Sequence, residues 1–269
     1  MDALAVLPDG SLASGSMDCT IRIWDLSNGQ TIKILKGHST YVFSLAVLSD
    51  GRLVSGSNDI RIWDVKSGQN IQTLNSQTES VWSLAVLLDG RLASGSGFKT
   101  IRIWDIKSSQ MIKSLNGHSG YVLSLAVLSD GSLVSASRDK TIKIWNTTNW
   151  LTMKTLNGHT GWIYSLAVLS DGALASSSTD IRIWDTKSGN LLRVLSKGST
   201  SVANSLALLP NGYLACDYNI KDIMIWNPTN GKEIKILKSH TSTVYALVAV
   251  SDLRLASGSG DGTVHIWNV

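Results

Sequence analysis

Histidine, serine and aspartate recur in this chain at spacings that a hydrolytic triad could use. His118, Ser135 and Asp139 make one set, closed by Trp145 six residues further on. Matching sets stand at His38, Ser55, Asp59 and Trp63, at His159, Ser176, Asp180 and Trp184, and at His240, Ser257, Asp261 and Trp267. A nucleophilic serine needs an exposed hydroxyl, a base placed to take its proton and donors for the oxyanion. Four copies beside apolar runs do not fit a site that a protein builds once. The same residue types support a second chemistry. An indole N–H, a hydroxyl, an imidazole and a carboxylate can satisfy one another inside a core, each bond contributing about 0.5–1.5 kcal/mol net. On that reading the sets are structural fasteners, no residue is catalytic, and the protein is not an enzyme.

No other chemistry is signalled. The sequence has no glycine-rich phosphate loop and no paired cysteine or histidine spacing for zinc, so neither a cofactor nor a metal is expected. The two cysteines, Cys19 and Cys216, fall in different parts of the chain and form no disulfide framework, which favours a reducing, cytoplasmic or nuclear location. The first residues include Asp2 and Pro8 and lack the basic start and apolar core of a signal peptide. No apolar run approaches the roughly 20 residues that span a bilayer. Hydrophobic residues make up 43% of the chain and charged residues 16%, a balance that supports a large core. The net charge of +4 is spread along the sequence, so its pull on acidic partners is weak.

The elements that must position these residues repeat. From His118 to Trp145 the chain reads HSGYVLSLAVLSDGSLVSASRDKTIKIW, and seven versions of this stretch fill the sequence. Their closing tryptophans, Trp24, Trp63, Trp104, Trp145, Trp184, Trp226 and Trp267, are 39, 41, 41, 39, 42 and 41 residues apart. Four are followed by aspartate and three by asparagine. Each unit holds short runs of Val, Ile and Leu broken by Gly, Asn, Asp and Ser, the punctuation of strands and turns. A first run such as SLAVL is almost wholly apolar, as expected of a strand buried on both faces. Asp-Gly or Asn-Gly pairs then supply a hairpin turn in six units, while the seventh has Asp252-Leu253.

A period near 40 ending in Trp-Asp resembles the WD-repeat family of β-propellers, and the resemblance covers the whole chain. It implies an all-β fold: one seven-bladed propeller over residues 1–269, with four-stranded antiparallel blades. With the strands of a blade called a to d, the sequence supplies seven each of a, b and c but six of d. The expectation is a three-stranded seventh blade with an open edge at Thr263–Trp267, and a chain cut from a longer protein. In such a meander the d–a and b–c connections share one end, which places His118 and Asp139 together.

The sets are not uniform. Blade three has Gln77 and Phe98 at the histidine and aspartate positions, and blade six has Ser199, Cys216 and Ile220 at the three polar ones. Blade one keeps Ser14, Asp18 and Trp24 without an upstream histidine. Blades two and five both lack two residues after the aspartate. Blades two and five therefore match, three and six both lack the network, and four and seven are complete, the pattern of a duplicated three-blade unit.

In WD-repeat proteins the face with the d–a and b–c connections is the usual docking surface. Here strand a is entered through aromatic residues: Tyr41 and Phe43, Trp82, Tyr121, Trp162 and Tyr164, and Tyr245. Aromatic rings with a polar tip are enriched in binding hot spots, although individual rings can instead cap the core. The residues before the turn aspartates, Met17, Asn58, Arg138, Thr179 and Gly260, vary as partner-specific contacts would, and as neutral drift would. A cationic series, Arg22, Arg61, Arg102, Lys143 and Arg182, precedes Ile-Trp of strand c. It reads as snorkelling stems that meet nearby carboxylates, with a basic collar as the alternative.

The expected function is a non-catalytic scaffold that binds a protein or peptide on this face, near the channel mouth. The alternative is the sensing or substrate-recruiting module of a larger enzyme such as a ubiquitin ligase or a signalling NTPase. Nucleic acid is not expected as a partner, since no RNA-binding motif is present.

Overall fold

The computed structural model describes residues 3–74, 80–195, 202–250 and 253–269. Every sheet is a meander of strands adjacent in sequence, six of them four-stranded and the last three-stranded. Blade four shows the plan, with strands at Val122–Val127, Leu133–Ser137, Ile142–Trp145 and Thr152–Leu156. Strand b pairs with strand c so that Leu133 faces Trp145 and Ser135 faces Lys143. The seven a strands neighbour one another in a closed cycle, which makes them the innermost strands of a seven-bladed propeller.

Burial follows radius. Strand b of blade four is buried at every position, whereas strand a (Val122–Val127) is half-buried beyond its first residue. The apolar a run therefore marks the wall of the channel, and the strand enclosed on both faces is b. Small residues in b permit this packing. A Cβ on Gly56 would stand 2.3 Å from Ser44 Oγ and 2.7 Å from Val81 Cγ1 of the next blade. The strand a serines stitch neighbouring blades: Ser44 Oγ donates to Val81 O at 3.1 Å, while the Oγ atoms of Ser124, Ser165 and Ser205 accept from the N–H groups of Leu166, Leu206 and Leu247.

The a–b turn is longer than a two-residue hairpin. In blade one Gly10 N–H donates to Leu7 O at 2.9 Å and Leu7 N–H to Ser11 O at 2.8 Å. Only the glycine, at φ 85°, takes the left-handed conformation that glycine adopts at low cost. In blade seven Leu253 takes it instead, at φ 61°, and Asp252 lies outside the described residues.

In all six four-stranded blades the pairing of c with d slips one residue at the Ile-Trp step. A bulge there re-aims a side chain, in this case the indole. Blade seven ends at strand c (Val264–Asn268), as the strand count requires. Its consequence is local: Ile266 is 38% exposed, against 2% for Ile23 and 1% for Ile144 at the same position. The ring closes here by side-chain packing. Leu12, Val250 and Ala256 form a small cluster with Leu4, Val6 and Val264 across the seam.

Candidate functional site

Blade four carries the full fastener. Trp145 Nε1 donates to Ser135 Oγ at 2.8 Å, and Ser135 Oγ lies 2.7 Å from His118 Nε2. His118 Nδ1 is 2.7 Å from an Asp139 carboxylate oxygen. One proton arrangement satisfies every group: indole to hydroxyl, hydroxyl to Nε2, and Nδ1–H to carboxylate. Asp139 also accepts from the Ser119 and Thr141 N–H groups and the Thr141 hydroxyl. Burial opposes its ionisation, but the bonds from His118, Thr141 and Ser119 outweigh it and hold the carboxyl well below the usual range. Blade seven repeats the geometry through Trp267, Ser257, His240 and Asp261, with Thr241 and Thr263 as the added donors.

Blades two and five differ together. Their shorter turns bring Arg61 to Asp59 and Arg182 to Asp180, each with Nε 2.9 Å from the carboxylate. His38 and His159 keep the contacts to Ser55 and Ser176 at 2.6 and 2.7 Å and to Asp59 and Asp180 at 2.7 and 2.8 Å. Trp63 and Trp184 donate to the same serines. The pairing of blades two and five read from sequence thus extends to their side chains. Ser135, Ser55, Ser176 and Ser257 are all fully buried, so none of these four hydroxyls is placed to attack a substrate.

One expectation needs correction. Blade three does not lack the network outright, because Ser94 Oγ accepts from Trp104 Nε1 at 2.8 Å; Gln77 lies outside the described residues. Blade one keeps the same half through Ser14 and Trp24. Blade six departs further. There the Trp226 indole N–H makes no bond to oxygen and faces Cys216, whose thiol is pushed up by burial and by the charge of Asp217; Ser199 lies outside the described residues. Hydrogen exchange should accordingly be fastest in blade six, intermediate in blade three and slowest in blades four and seven, measured on strand b amides.

Asp217 went unremarked in the sequence. It occupies the strand b position that is Gly56 in blade two and Ala136 in blade four, and it is 2% exposed. Asn204 Nδ2 and Ser205 N–H donate to it at 2.9 and 2.8 Å. Burial pushes its carboxyl up to about 6 against these bonds.

The aromatic entries to strand a form a connected arc on the d–a face. Tyr41 meets Phe43 edge-on at 6.0 Å, Phe43 lies 4.5 Å from Trp82, and Trp162 lies 6.3 Å from Tyr164. Arg138 bridges the two halves, its guanidinium 5.8 Å from the Trp82 ring, 4.6 Å from Tyr121 and 4.3 Å from Trp162. Burial raises the Tyr164 phenol, and the nearby Arg138 charge pulls it the other way. Tyr41, Tyr121 and Trp162 are exposed, and Phe43, Trp82 and Tyr164 are half-buried. Tyr245 stands apart, against Gly260. Met17, Asn58 and Thr179 are exposed on their turns, while Arg138 of the same series stands against three of the rings.

The cationic series of strand c behaves mostly as snorkelling stems. Arg61 and Arg182 meet carboxylates, Arg22 lies 3.9 Å from Asp18, and Lys143 donates to Thr155 Oγ1. Arg102 sits over Phe98.

Comparison with known families matches the WD domain, G-beta repeat (WD40), over residues 2–25, 29–64, 68–105, 109–146, 150–185 and 231–268. The chain belongs to this family. The unmatched stretch 186–230 contains strands a to c of blade six, where the fastener is absent. Among curated relatives, 54 residues are 43% identical to human WD repeat and SOCS box-containing protein 1. Another 51 are 45% identical to nuclear distribution protein PAC1 of Mycosarcoma maydis, and 52 are 42% identical to mitochondrial division protein 1 of Schizosaccharomyces pombe. Each match covers 19% of this chain, and respectively 13%, 11% and 8% of the relative. No described helix is long and apolar enough to cross a membrane.

Proposed function

We propose that the chain is a non-catalytic interaction scaffold that holds a protein or peptide partner against the d–a face near the channel mouth. The observation that carries this reading is the aromatic arc from Tyr41 to Tyr164. Rings that fill a core turn away from solvent; here exposed Tyr41, Tyr121 and Trp162 alternate with half-buried neighbours. Such rings offer large contact area at little entropic cost, which is why they dominate binding hot spots. The buried serines argue against hydrolysis, and the fasteners account for every histidine–aspartate pair.

Changing Trp82→Ala together with Tyr164→Ala should abolish capture of partners from a lysate while the melting temperature stays nearly constant. Two hot-spot rings together are worth about 4 kcal/mol of binding or more. A large fall in melting temperature would instead assign those rings to the core and defeat the proposal.

A second reading, the recruiting module of a larger protein, draws on the human relative, whose name joins a WD repeat to a SOCS box. The sequence flanking this chain in its gene decides between the two.

A further inference from the structure

Among the described residues Arg138 is a cation without a counter-ion. Its guanidinium stands among three aromatic rings, and its Nε is fully covered and donates to nothing. Among the described residues no carboxylate lies within ion-pair distance of it. The neighbouring aspartate does not neutralise it. Asp139 is committed to His118, Ser119 and Thr141, and turns into the blade while Arg138 turns onto the face. Asp180 of the next blade is held by His159 and Arg182.

The position is also fixed. Arg138 N–H donates to Tyr121 O at 2.9 Å, which ties the turn to the entry of strand a. The rings hold the side chain in place, so little freedom is left to lose when a ligand arrives. Elsewhere on this face, at Arg61 and Arg182, the same residue type is paired with a carboxylate of its own blade. Arg138 differs in that no such partner stands beside it among the described residues.

Resting on the scaffold reading above, we infer that the arc receives an extended peptide segment whose aspartate or glutamate side chain pairs with Arg138 while flanking apolar residues lie on Trp82 and Trp162. The arc crosses blades two to five, a span suited to several residues of extended chain at roughly 3.3 Å each. A carboxylate matches one guanidinium in charge and in its two-oxygen geometry. A phosphate carries about −1.5 to −2 and calls for further cations, whereas among the described residues Arg138 is the one cation over these rings.

The test uses fluorescein-labelled nonapeptide pools with degenerate flanks and a fixed centre of Asp, Glu, Ser, phosphoserine or Lys. Anisotropy is read on the intact chain, on Arg138→Gln and on Arg138→Lys, with thermal melts as the folding control. The Asp and Glu pools should bind roughly tenfold tighter than the Ser pool, the scale of a charge-assisted bond. Arg138→Gln should bring them to the Ser level, and Arg138→Lys should retain part of the preference. If Arg138→Gln fails to fold, a reduced preference in a folded Arg138→Lys supports the assignment, and an unchanged or larger preference overturns it. Preference for phosphoserine over Asp and Glu overturns the carboxylate assignment. Equal binding of all pools, lost in the Trp82/Tyr164 double variant, overturns this inference and leaves the scaffold reading standing. Binding of no pool overturns this inference, while the scaffold reading stands or falls by the lysate capture described above.

Discussion

Replacing Ser135 with alanine will destabilise the protein far more than the loss of one hydroxyl suggests. That oxygen serves two buried partners, accepting from Trp145 Nε1 and donating to His118 Nε2. Alanine leaves an indole N–H and an imidazole nitrogen unpaired where water does not reach. Each orphaned buried group costs about 1–3 kcal/mol, so the expected loss is about 2–6 kcal/mol. Ser94→Ala in blade three provides the comparison, because among the described residues Ser94 Oγ serves Trp104 alone. Its loss should be about half as large. Denaturant unfolding of the two variants measures both. Equal effects would show that the serine–histidine contact contributes nothing. A hydrolase would behave differently, with Ser135→Ala removing an activity and leaving stability intact.

Much of this arrangement was legible because each repeat poses the same packing problem. The tryptophan spacing marked the blades, and the runs between Gly, Asn and Asp marked the strands within one or two residues. The missing outer strand could be counted, and the match of blades two and five survived down to the Arg61–Asp59 and Arg182–Asp180 pairs. What could not be read is set by depth and by contacts between blades. Hydropathy marks SLAVL and LVSAS alike as strands, but only the ring places the first at the channel and encloses the second. The serines of strand a looked like ordinary strand polars; their bonds to the next blade join residues about forty positions apart. Arg138 was visible as one variable turn residue among several. Its place among Trp82, Tyr121 and Trp162 depends on three blades meeting, which no local pattern encodes.

Asp217 was hidden for the opposite reason: a charged residue in a polar turn-rich stretch reads as exposed, yet its register puts it at the position of Gly56. Burial outweighs the bonds from Asn204 and Ser205, so this carboxyl keeps its proton to about pH 6, against an ordinary value of 3.8. The folded state then binds this proton more tightly than the unfolded chain does. The contribution is fully present below about pH 4 and is lost as pH rises through about 6, so above that the ionised group destabilises the fold. A shift of this size corresponds to about 3 kcal/mol. Asp217→Asn keeps an oxygen for the Ser205 N–H, and Asn204 can turn its amide to meet the new one. The variant should gain up to about 3 kcal/mol at pH 7.5 and little at pH 4, by denaturant midpoints. The network acids run the other way: Asp139 and Asp261 are held low, so their stabilisation is present above the ordinary carboxylate range and fails only below it. Between pH 4 and 7 the two slopes do not overlap, and a difference between wild type and Asp217→Asn that stayed constant across that interval would mean the carboxylate is not buried as a charge.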